Sequence, residues 1–344
     1  MTPKRLRELL DSFPSLRVAV VGDFFLDKYL DIDPQLAERS IETGKTAHQV
    51  VAISSFPGAA GTVVNNLATL GAGTLHAVGA IGDDGEGFEL RRGLQRRGCE
   101  TGGLAASDSL KTPTYLKPRD IDRLGLEGEH ERYDTKNRDR TPDKVVRGIL
   151  ESLDDLLDDL DAVIIADQVE EEDCGMITAA VRNELAERAA RFPNIRFWAD
   201  SRNRIRLFRN VIIKPNQFEA VGHENPQPDD TVDPDQVRQA TAELRRQTGA
   251  PVCVTRGVEG MLVTDPEWTT VPGVRLEGPI DPTGAGDSVT ASAVLALAAG
   301  ASFAEAALVG ILTSSITVQQ IGMTGTATPQ QVVDRLTLWH EQNG

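Results

Sequence analysis

The sequence predicts an α/β protein whose main sheet is built from parallel strands. From Thr141 onward, segments with helical spacing of apolar residues alternate regularly with short apolar runs. The runs 162–167 and 195–200 end in aspartate, and the run 210–216 ends in asparagine. Apolar runs without strict alternation are typical of strands that are covered on both faces, as in a parallel sheet.

The composition fits one large globular domain, and we expect residues 1–344 to form it. The chain has 40% hydrophobic and 26% charged residues, and its formal net charge is −16. Nucleic acids and anionic membranes bind to basic surfaces, so the acidic balance argues against either as a partner. Three isolated cysteines offer neither a disulfide framework nor a zinc motif, which favours a reducing cytoplasm.

The first apolar run, residues 17–22, predicts a buried strand followed directly by Asp23. Ligands of open α/β sheets bind beyond the carboxyl ends of the strands. Asp23 and the nearby Asp27 are therefore candidate substrate-binding residues. The alternative is that both are ordinary carboxylates of a turn.

Residues of about 24–53 and 111–135 predict a small lid of extended segments in place of crossover helices. Both stretches have strand-like patterns and interrupt the succession of strands and helices. Pro113 and Pro118 predict edge strands in the second stretch, because proline cannot donate a hydrogen bond to a neighbouring strand.

Lys117, Arg119 and Arg132 in this lid are the candidates for a basic pocket. A chain with a net charge of −16 needs such a local pocket if its substrate is anionic. The alternative for each residue is a solvated charge on an edge strand.

Polar residues follow three successive strands of the predicted sheet. Asp167, Asp200 and Asn216 would lie at one edge of the sheet, which indicates a site there. Glu219 follows Asn216 at a helix start, and two interpretations stay open for this pair. They could form a capping box, or they could orient water on a magnesium ion, which keeps several waters in phosphate sites.

A later strand is followed by a glycine turn that carries Thr255, Gly257 and Gly260. A hydroxyl group and exposed backbone N–H groups at a strand end could hold phosphate oxygens. These residues are therefore candidates for contact with a nucleotide.

Residues 281–287 have the sequence Asp-Pro-Thr-Gly-Ala-Gly-Asp and precede a long apolar helix. Glycines before a helix let free N–H groups point at one place, where the helix dipole also favours an anion. Asp287 could accept a proton from a hydroxyl that attacks a phosphoryl group held by these amides. The alternative is an aspartate that only caps the helix.

Five motifs in one order along nearly the whole chain resemble the PfkB, or ribokinase-like, family of carbohydrate kinases. They are Gly22-Asp23, Pro57-Gly-Ala-Ala-Gly61, Pro215-Asn-Gln-Phe-Glu219, Val254-Thr-Arg-Gly-Val-Glu-Gly260 and the turn Asp281 to Asp287. Each motif is weak alone, but all five in this order are specific. Within the family, the chain is most similar to the heptose-phosphate kinase domain of bacterial ADP-heptose synthesis proteins.

The resemblance implies a doubly wound, mostly parallel sheet with a small β-sheet lid. It also implies transfer of the γ-phosphoryl group of ATP, with Mg²⁺, to a hydroxyl of a sugar or of a sugar phosphate such as a heptose 7-phosphate. Asp287 would be the general base. The amides of Gly284, Ala285 and Gly286 would stabilise charge on the transferred group.

The resemblance assigns further roles. Asn216 and Glu219 would belong to the magnesium and phosphate shell, and the backbone near Asp281 would bind a monovalent cation such as K⁺. The other implied contacts are Thr255, Gly257, Gly260 and Thr283 with the nucleotide, and Asp23, Asp27 and Gly58 with the sugar. Lids of this family often pair across a dimer, so a homodimer through the lid is expected.

The chain departs from the family pattern on the sugar and adenine sides of the site. The usual Gly-Gly is Gly58-Ala59, the usual Asn is Thr62, an Asn often found near the adenine is Ile311, and residues 168–173 are acidic. These changes leave the acceptor open. The alternatives are a kinase of the same fold for a nucleoside or another small metabolite, and a catalytically silent regulator that binds a sugar or nucleotide.

Overall fold

A computed structural model describes residues 1–123, 125–227, 229–322 and 324–344. The strands are β1 Arg17–Gly22, β2 Phe24–Arg39, β3 Thr46–Ala59, β4 Thr74–Gly82, β5 Cys99–Glu100, β6 Leu104–Ser107, β7 Thr114–Asp120, β8 Tyr133–Thr135, β9 Ala162–Asp167, β10 Arg196–Ser201, β11 Ile212–Ile213, β12 Cys253–Thr255, β13 Met261–Val263 and β14 Thr269–Val271. The helices are α1 Pro3–Ser12, α2 Ala60–Thr69, α3 Gly85–Arg96, α4 Asp143–Asp154, α5 Ala179–Arg191, α6 Gln217–Val221, α7 Pro234–Thr248, α8 Ala285–Ala298, α9 Phe303–Thr317 and α10 Pro329–Asn343.

The central sheet is parallel. Among the described residues it contains seven strands in the order β11-β10-β9-β1-β4-β5, with β6 also paired to β4. The strand order changes direction beside β1, because β4 follows on one side and β9 on the other. Ligand sites of open α/β sheets form at such points, beyond the carboxyl ends of the strands.

Helices cover both faces of the sheet, and alternate residues of β1 show this directly. Val18 and Val20 pack in one core together with residues of α1, α2, α8, α9 and α10. Ala19 and Val21 pack in a second core together with residues of α4, α5, α6 and α7. Because neighbouring side chains of a strand point to opposite faces, two separate cores mean a sheet covered on both sides. The predicted doubly wound, mostly parallel fold is confirmed.

A second sheet forms the lid, with the strand order β3-β2-β7-β8. The strands β2 and β3 pair as a long antiparallel hairpin, and β7 runs parallel to β2. The prediction of an edge position is wrong for β7, which lies between β2 and β8. Pro118 is tolerated there because β8 pairs only with Thr114–Leu116, at the other end of β7. The hairpin also continues past residue 53 and ends at Ala59.

A small antiparallel sheet, β12-β13-β14, lies beside β11, the outer strand of the central sheet. Two isolated parallel bridges, Ile213 with Val252 and Asn216 with Thr255, connect it to the segment that follows β10. The predicted nucleotide residues Asn216 and Thr255 are therefore neighbours. In the part of the chain that the structure describes, we find no helix of the length and apolarity that a bilayer span requires.

Candidate functional site

The start of α8 separates two cavities, which we call the lid cavity and the apolar cavity. The lid cavity has a volume of about 340 Å³ and lies between the lid sheet and the turn before α8. The apolar cavity has a volume of about 220 Å³ and lies between that turn, α9 and the small antiparallel sheet. Asp287 and Gly284 line the lid cavity, whereas Ala285 and Gly286 line the apolar cavity.

The turn before α8 leaves backbone N–H groups free at this boundary. Gly284 has a φ of +76°, a left-handed conformation that glycine adopts without a steric cost. The N–H of Ala285 donates to Pro282 O (3.1 Å), so this predicted amide is already used within the turn. The N–H groups of Gly284 and Gly286 have no acceptor among the described residues, and they remain available to an anion.

Asp281 holds the turn in place from its other end. Its carboxylate accepts hydrogen bonds from Thr283 N (3.0 Å) and Gly322 N (3.3 Å). Burial raises the pKa of Asp281, but these hydrogen bonds outweigh it and hold the pKa below the ordinary value. Thr283, which the resemblance implies at the nucleotide, lines the lid cavity instead.

Asp287 lies half-buried at the bottom of the lid cavity. Burial, assisted by the nearby carboxylate of Asp200, raises the pKa of its carboxyl to about 7. The positive charges of Lys214 and Arg202 lower the pKa of Asp287. A base with a pKa near 7 suits proton transfer at neutral pH.

Lys214 is a buried cation beneath Asp287. Its Nζ lies 3.0 Å from Asp200 Oδ2, and the same oxygen accepts a hydrogen bond from Thr290 Oγ1 (3.0 Å). A Cβ on Gly286 would stand only 3.3 Å from this Nζ, so the glycine leaves room for the cation below the turn. Lys214 is not among the predicted site residues, although its place before Pro-Asn in a recognised motif was a usable signal.

Asn216 and Glu219 form a capping box at the start of α6. Asn216 Oδ1 accepts from Phe218 N and Glu219 N (both 2.9 Å), and Glu219 Oε2 accepts from Asn216 N (2.7 Å). One interpretation left open by the sequence is thus realised. Burial raises the pKa of Glu219 to about 7, against the opposing effect of Lys214.

The same pair fits a water-mediated magnesium site. Glu219 Oε1 accepts no hydrogen bond from the described residues, so one oxygen stays open to a hydrated ion. Across the described ranges, no three His, Cys, Asp or Glu side chains group together as a metal site. Mg²⁺ held mainly by water and substrate phosphates needs no such group.

The lid brings Asp27 and Lys117 to the cavity that contains Asp287. Asp27 Oδ1 and Lys117 Nζ are 3.0 Å apart, and Lys117 also lies over the ring of Tyr29. A Cβ on Gly58 would stand 2.3 Å from Asp27 Oδ2. Gly58 therefore acts on the site by leaving space for the Asp27 carboxylate.

The two arginines predicted for a basic pocket differ in position. Arg132 lines the lid cavity, stacks over Tyr115 and makes two hydrogen bonds to Asp134 (2.7 and 2.8 Å). Arg119 is bound to Asp31 (2.6 Å) and is not among the residues that line this cavity. The structure thus places only Arg132 of this pair beside Asp287.

Asp23 is turned away from the lid cavity. Its carboxylate accepts hydrogen bonds from Gln168 N (2.8 Å), Val169 N (3.1 Å) and Met176 N (2.7 Å). Burial, assisted by Asp167, raises the pKa of Asp23 to about 6. In this structure Asp23 holds the segment after β9, and it does not meet the other predicted sugar residues.

Asp167, at the carboxyl end of β9, also has a structural role. It is fully buried, and its carboxylate binds Arg204 (2.6 Å) and Ser201 Oγ (2.6 Å). Of the three polar strand ends, Asp200 and Asn216 thus lie nearer to the chemistry suggested by Asp287.

The predicted nucleotide residues Thr255, Gly257 and Gly260 line the apolar cavity. A Cβ on Gly260 would stand 2.0 Å from Val271 O, so a larger residue there would separate the strands of the small sheet. Ile311, where the family often has Asn, lies on the wall of this cavity. The cavity can therefore hold an apolar group beside the free amide of Gly286.

Ala59 occupies a strained position on the wall of the lid cavity. Its φ is +53° and its ψ is −119°, a region that glycine favours and that costs other residues of order 1–3 kcal/mol. The family's usual Gly-Gly is Gly58-Ala59 here. The backbone of Ala59 is therefore strained at a position where the family usually has glycine.

We expect Ala59→Gly to stabilise the protein by about 1 kcal/mol, because relief of strain exceeds the added flexibility of the unfolded chain. Equilibrium urea unfolding measures the change. Ala60→Gly, in the first turn of α2, is the control and should lower the free energy of unfolding. A destabilised Ala59→Gly variant would contradict the argument.

Solved structures with the same architecture identify the fold. Phosphofructokinase-2 from Escherichia coli (mutant Y23D) aligns over 94% of this chain and 99% of its own with a TM-score of 0.69 and 19% identity. Ribokinase from Arabidopsis thaliana, solved with ribose and ATP, aligns over 93% and 98% with a TM-score of 0.65 and 19% identity. The parallel sheet with its lid sheet is therefore the ribokinase-like fold.

The particular family follows from the sequence match. Residues 17–331 match the pfkB family carbohydrate kinase model, and the chain belongs to this family. The bifunctional protein HldE of a Shewanella species is 30% identical over 97% of this chain, and that of a Nitratiruptor species is 28% identical over 92%. The chain covers 66% and 64% of the lengths of these two relatives.

Proposed function

We propose that this chain transfers the γ-phosphoryl group of ATP to a hydroxyl of a sugar or sugar phosphate bound in the lid cavity. One observation carries the proposal. The first turn of α8 is the wall between the two cavities, with Asp287 on the lid side and Gly286 on the apolar side. A phosphoryl group at this wall would lie between a proton acceptor and free amides.

In the proposed reaction, Asp287 accepts the proton of the acceptor hydroxyl. The hydroxyl oxygen forms a bond to the γ-phosphorus, the bond between that phosphorus and the β,γ-bridging oxygen breaks, and ADP leaves with the bonding electrons. The N–H groups of Gly284 and Gly286 stabilise the charge on the transferred group. Phosphoryl transfer depends mainly on such positioning and charge stabilisation.

The apolar cavity is the proposed adenine site. Its walls include Ile311 and Val289, and Thr255 and Gly257 lie at its edge for the phosphates. The ribokinase from Arabidopsis thaliana, which has the same fold, was solved with ATP, and this supports ATP as the nucleotide. Asn216 and Glu219 would hold Mg²⁺ through water, and the ion would neutralise phosphate charge. A monovalent cation such as K⁺ near the backbone of Asp281 remains part of the proposal.

The lid cavity is the proposed acceptor site. Asp27 can accept hydrogen bonds from sugar hydroxyls, while Lys117 and Arg132 can contact a phosphate. A heptose 7-phosphate is the leading candidate, because the motifs of this chain most resemble those of heptose-phosphate kinase domains, and the relatives named HldE match nearly its whole length.

We also propose that two copies pair through their lids. The lid exposes the apolar side chains of Leu36, Ile41, Val50, Val51 and Ile53, and Ile41 is fully exposed at the hairpin tip. β3 is an edge strand of the lid sheet, and exposed apolar residues along an edge strand are typical of association sites. Sedimentation equilibrium tests the pairing, and a monomer at all concentrations would contradict it.

A panel of acceptors with ATP and Mg²⁺ tests the proposed function. The panel contains neutral sugars, sugar phosphates including heptose 7-phosphate, and nucleosides, with ADP release and product structure as readouts. Turnover of a sugar or sugar phosphate is expected. Turnover of nucleosides alone would favour the second kinase alternative, and nucleotide binding without any turnover would favour a silent regulator.

We expect Asp27→Asn to raise the acceptor KM by about 10- to 100-fold, because a charged hydrogen bond to a hydroxyl contributes about 1.5–3 kcal/mol. The KM for ATP should stay within about twofold, since Asp27 lines only the lid cavity. Steady-state kinetics with each substrate varied in turn measures both values. Asp31→Asn, on the same strand but bound to Arg119, is the control. An unchanged acceptor KM in Asp27→Asn would exclude the assigned contact.

A further inference from the structure

Arg202 brings a cation to the lid cavity that the sequence patterns do not predict. It follows β10 and lines the cavity together with Gly284 and Asp287. Its side chain is 51% exposed, and its ion-pair partner is Glu170, at 3.4 Å. Such an exposed, long ion pair contributes about 0–1 kcal/mol, so the guanidinium can exchange it for another anion.

The other cations that line the lid cavity have closer hydrogen-bond or ion-pair partners. Lys117 is 3.0 Å from Asp27 and lies over Tyr29. Arg132 makes two short hydrogen bonds to Asp134. Among the described residues that line the lid cavity, Arg202 is therefore the cation with the weakest partner.

The backbone that carries Arg202 is fixed on both sides. Asp200, two residues before it, binds Lys214 and Thr290. Ser201 Oγ donates to Asp167 (2.6 Å) and accepts from Arg204 N (3.0 Å). Because this backbone is held, the half-exposed side chain of Arg202 can exchange its ion-pair partner and still remain at the cavity.

We propose that Arg202 binds the oxygens of the phosphoryl group during its transfer, and this inference rests on the proposed function. The guanidinium presents several N–H donors in a planar fork that matches phosphoryl oxygens. Its charge lowers the pKa of both Asp287 and Glu219, which agrees with a position close to both carboxylates. No bond to Arg202 forms or breaks, and it keeps its proton throughout.

The acidic segment 168–173, which follows β9, then supplies a temporary partner for Arg202. Glu170 holds Arg202 in the free protein, and the arriving phosphoryl group replaces this weak pair. The neighbouring pair of Arg138 with Glu171 (3.1 Å) has the same form, but neither residue lines the lid cavity. This pair supplies a matched control.

The test compares Arg202→Met, Arg202→Ala and Arg202→Lys with the control Arg138→Met. We expect Arg202→Met to lower kcat by about 10³-fold, the lower limit for an arginine at the transferred group, with a partial recovery in Arg202→Lys. Guanidinium ion added to Arg202→Ala should restore part of the rate. Thermal unfolding should be unchanged in all variants, and Arg138→Met should keep wild-type kinetics.

Nucleotide binding separates this inference from the proposed function. Calorimetry should show that Arg202→Met weakens ATP binding by about tenfold and leaves ADP binding unchanged, since only ATP carries the transferable group. This readout needs no turnover. Wild-type protein that turns over no acceptor would overturn the proposed function. An equal ratio of ATP to ADP affinity in wild type and Arg202→Met would overturn the inference, as would a loss limited to the KM of phosphorylated acceptors.

Discussion

Asp287→Asn is expected to lower kcat by about 10²- to 10⁴-fold, the usual contribution of a placed general base. The amide keeps the shape of the side chain and its place in the first turn of α8, but it cannot accept the acceptor proton. Both KM values should change little. Rapid-quench or coupled assays measure kcat, and a variant within threefold of wild type would refute the assignment of Asp287.

The pH dependence provides a second readout for the same residue. The base must be ionised, and the pKa of Asp287 is raised to about 7 by burial and by Asp200. The wild-type rate should therefore fall about tenfold per pH unit below about pH 7. We call this fall of the rate at low pH the acidic limb of the rate profile. The residual activity of Asp287→Asn should not show it.

Protein stability supplies the control that separates chemistry from folding. A carboxyl with a pKa raised in the folded state binds protons more tightly there than in the unfolded chain. Ionisation of Asp287 thus weakens the fold progressively as the pH rises from about 4 to about 7. The asparagine variant should be at least as stable as wild type at pH 8, and the difference should disappear near pH 4 in urea unfolding experiments. Asp334→Asn, on the exposed face of α10, is the matched control and should change neither property.

Local sequence patterns were sufficient for the fold because each depends on a short stretch of chain. The apolar run of β1 predicts a strand covered on both faces, and its residues do divide between two cores. The turn before α8 is likewise local, since Gly284 adopts its left-handed conformation next to the helix that it begins. Neither feature requires knowledge of distant contacts.

The partners of charged side chains could not be predicted in the same way. Arg119 and Arg132 are similar in sequence context, but Asp31 holds one away from the cavity and the other lines it. Asp23 follows a strand as expected, but its carboxylate is used by backbone N–H groups from the loop after β9. Long-range pairing decides these positions, and a single sequence does not record it.

Lys214→Met is the second large expected effect, with a loss of about 3–5 kcal/mol in the free energy of unfolding. Both members of the ion pair are nearly buried, with 5% of Lys214 and 13% of Asp200 exposed. Removing one member of a buried pair leaves the other charge without compensation, which accounts for the size of the loss. Urea unfolding at pH 8 measures it, and a loss below 1 kcal/mol would contradict the argument.

The double variant Lys214→Met/Asp200→Asn distinguishes the lost attraction from the isolated charge. We expect it to recover most of the stability, because a neutral amide can still accept the hydrogen bond from Thr290 and the charge of Asp200 is no longer left without its partner. A double variant no more stable than Lys214→Met would show that packing around the lysine stem causes the loss.

The same lysine controls the ionisation of the site. Burial lowers the pKa of Lys214, but Asp200 and then Glu219 raise it above the ordinary value, so the residue stays charged. Its charge in turn lowers the pKa of Asp287 and Glu219 from where burial alone would place them. In Lys214→Met the acidic limb of the rate profile should therefore move to higher pH. One buried cation interacts with three carboxylates, so Lys214→Met should change both the stability and the rate. Asp287→Asn, in contrast, should lower the rate without a loss of stability.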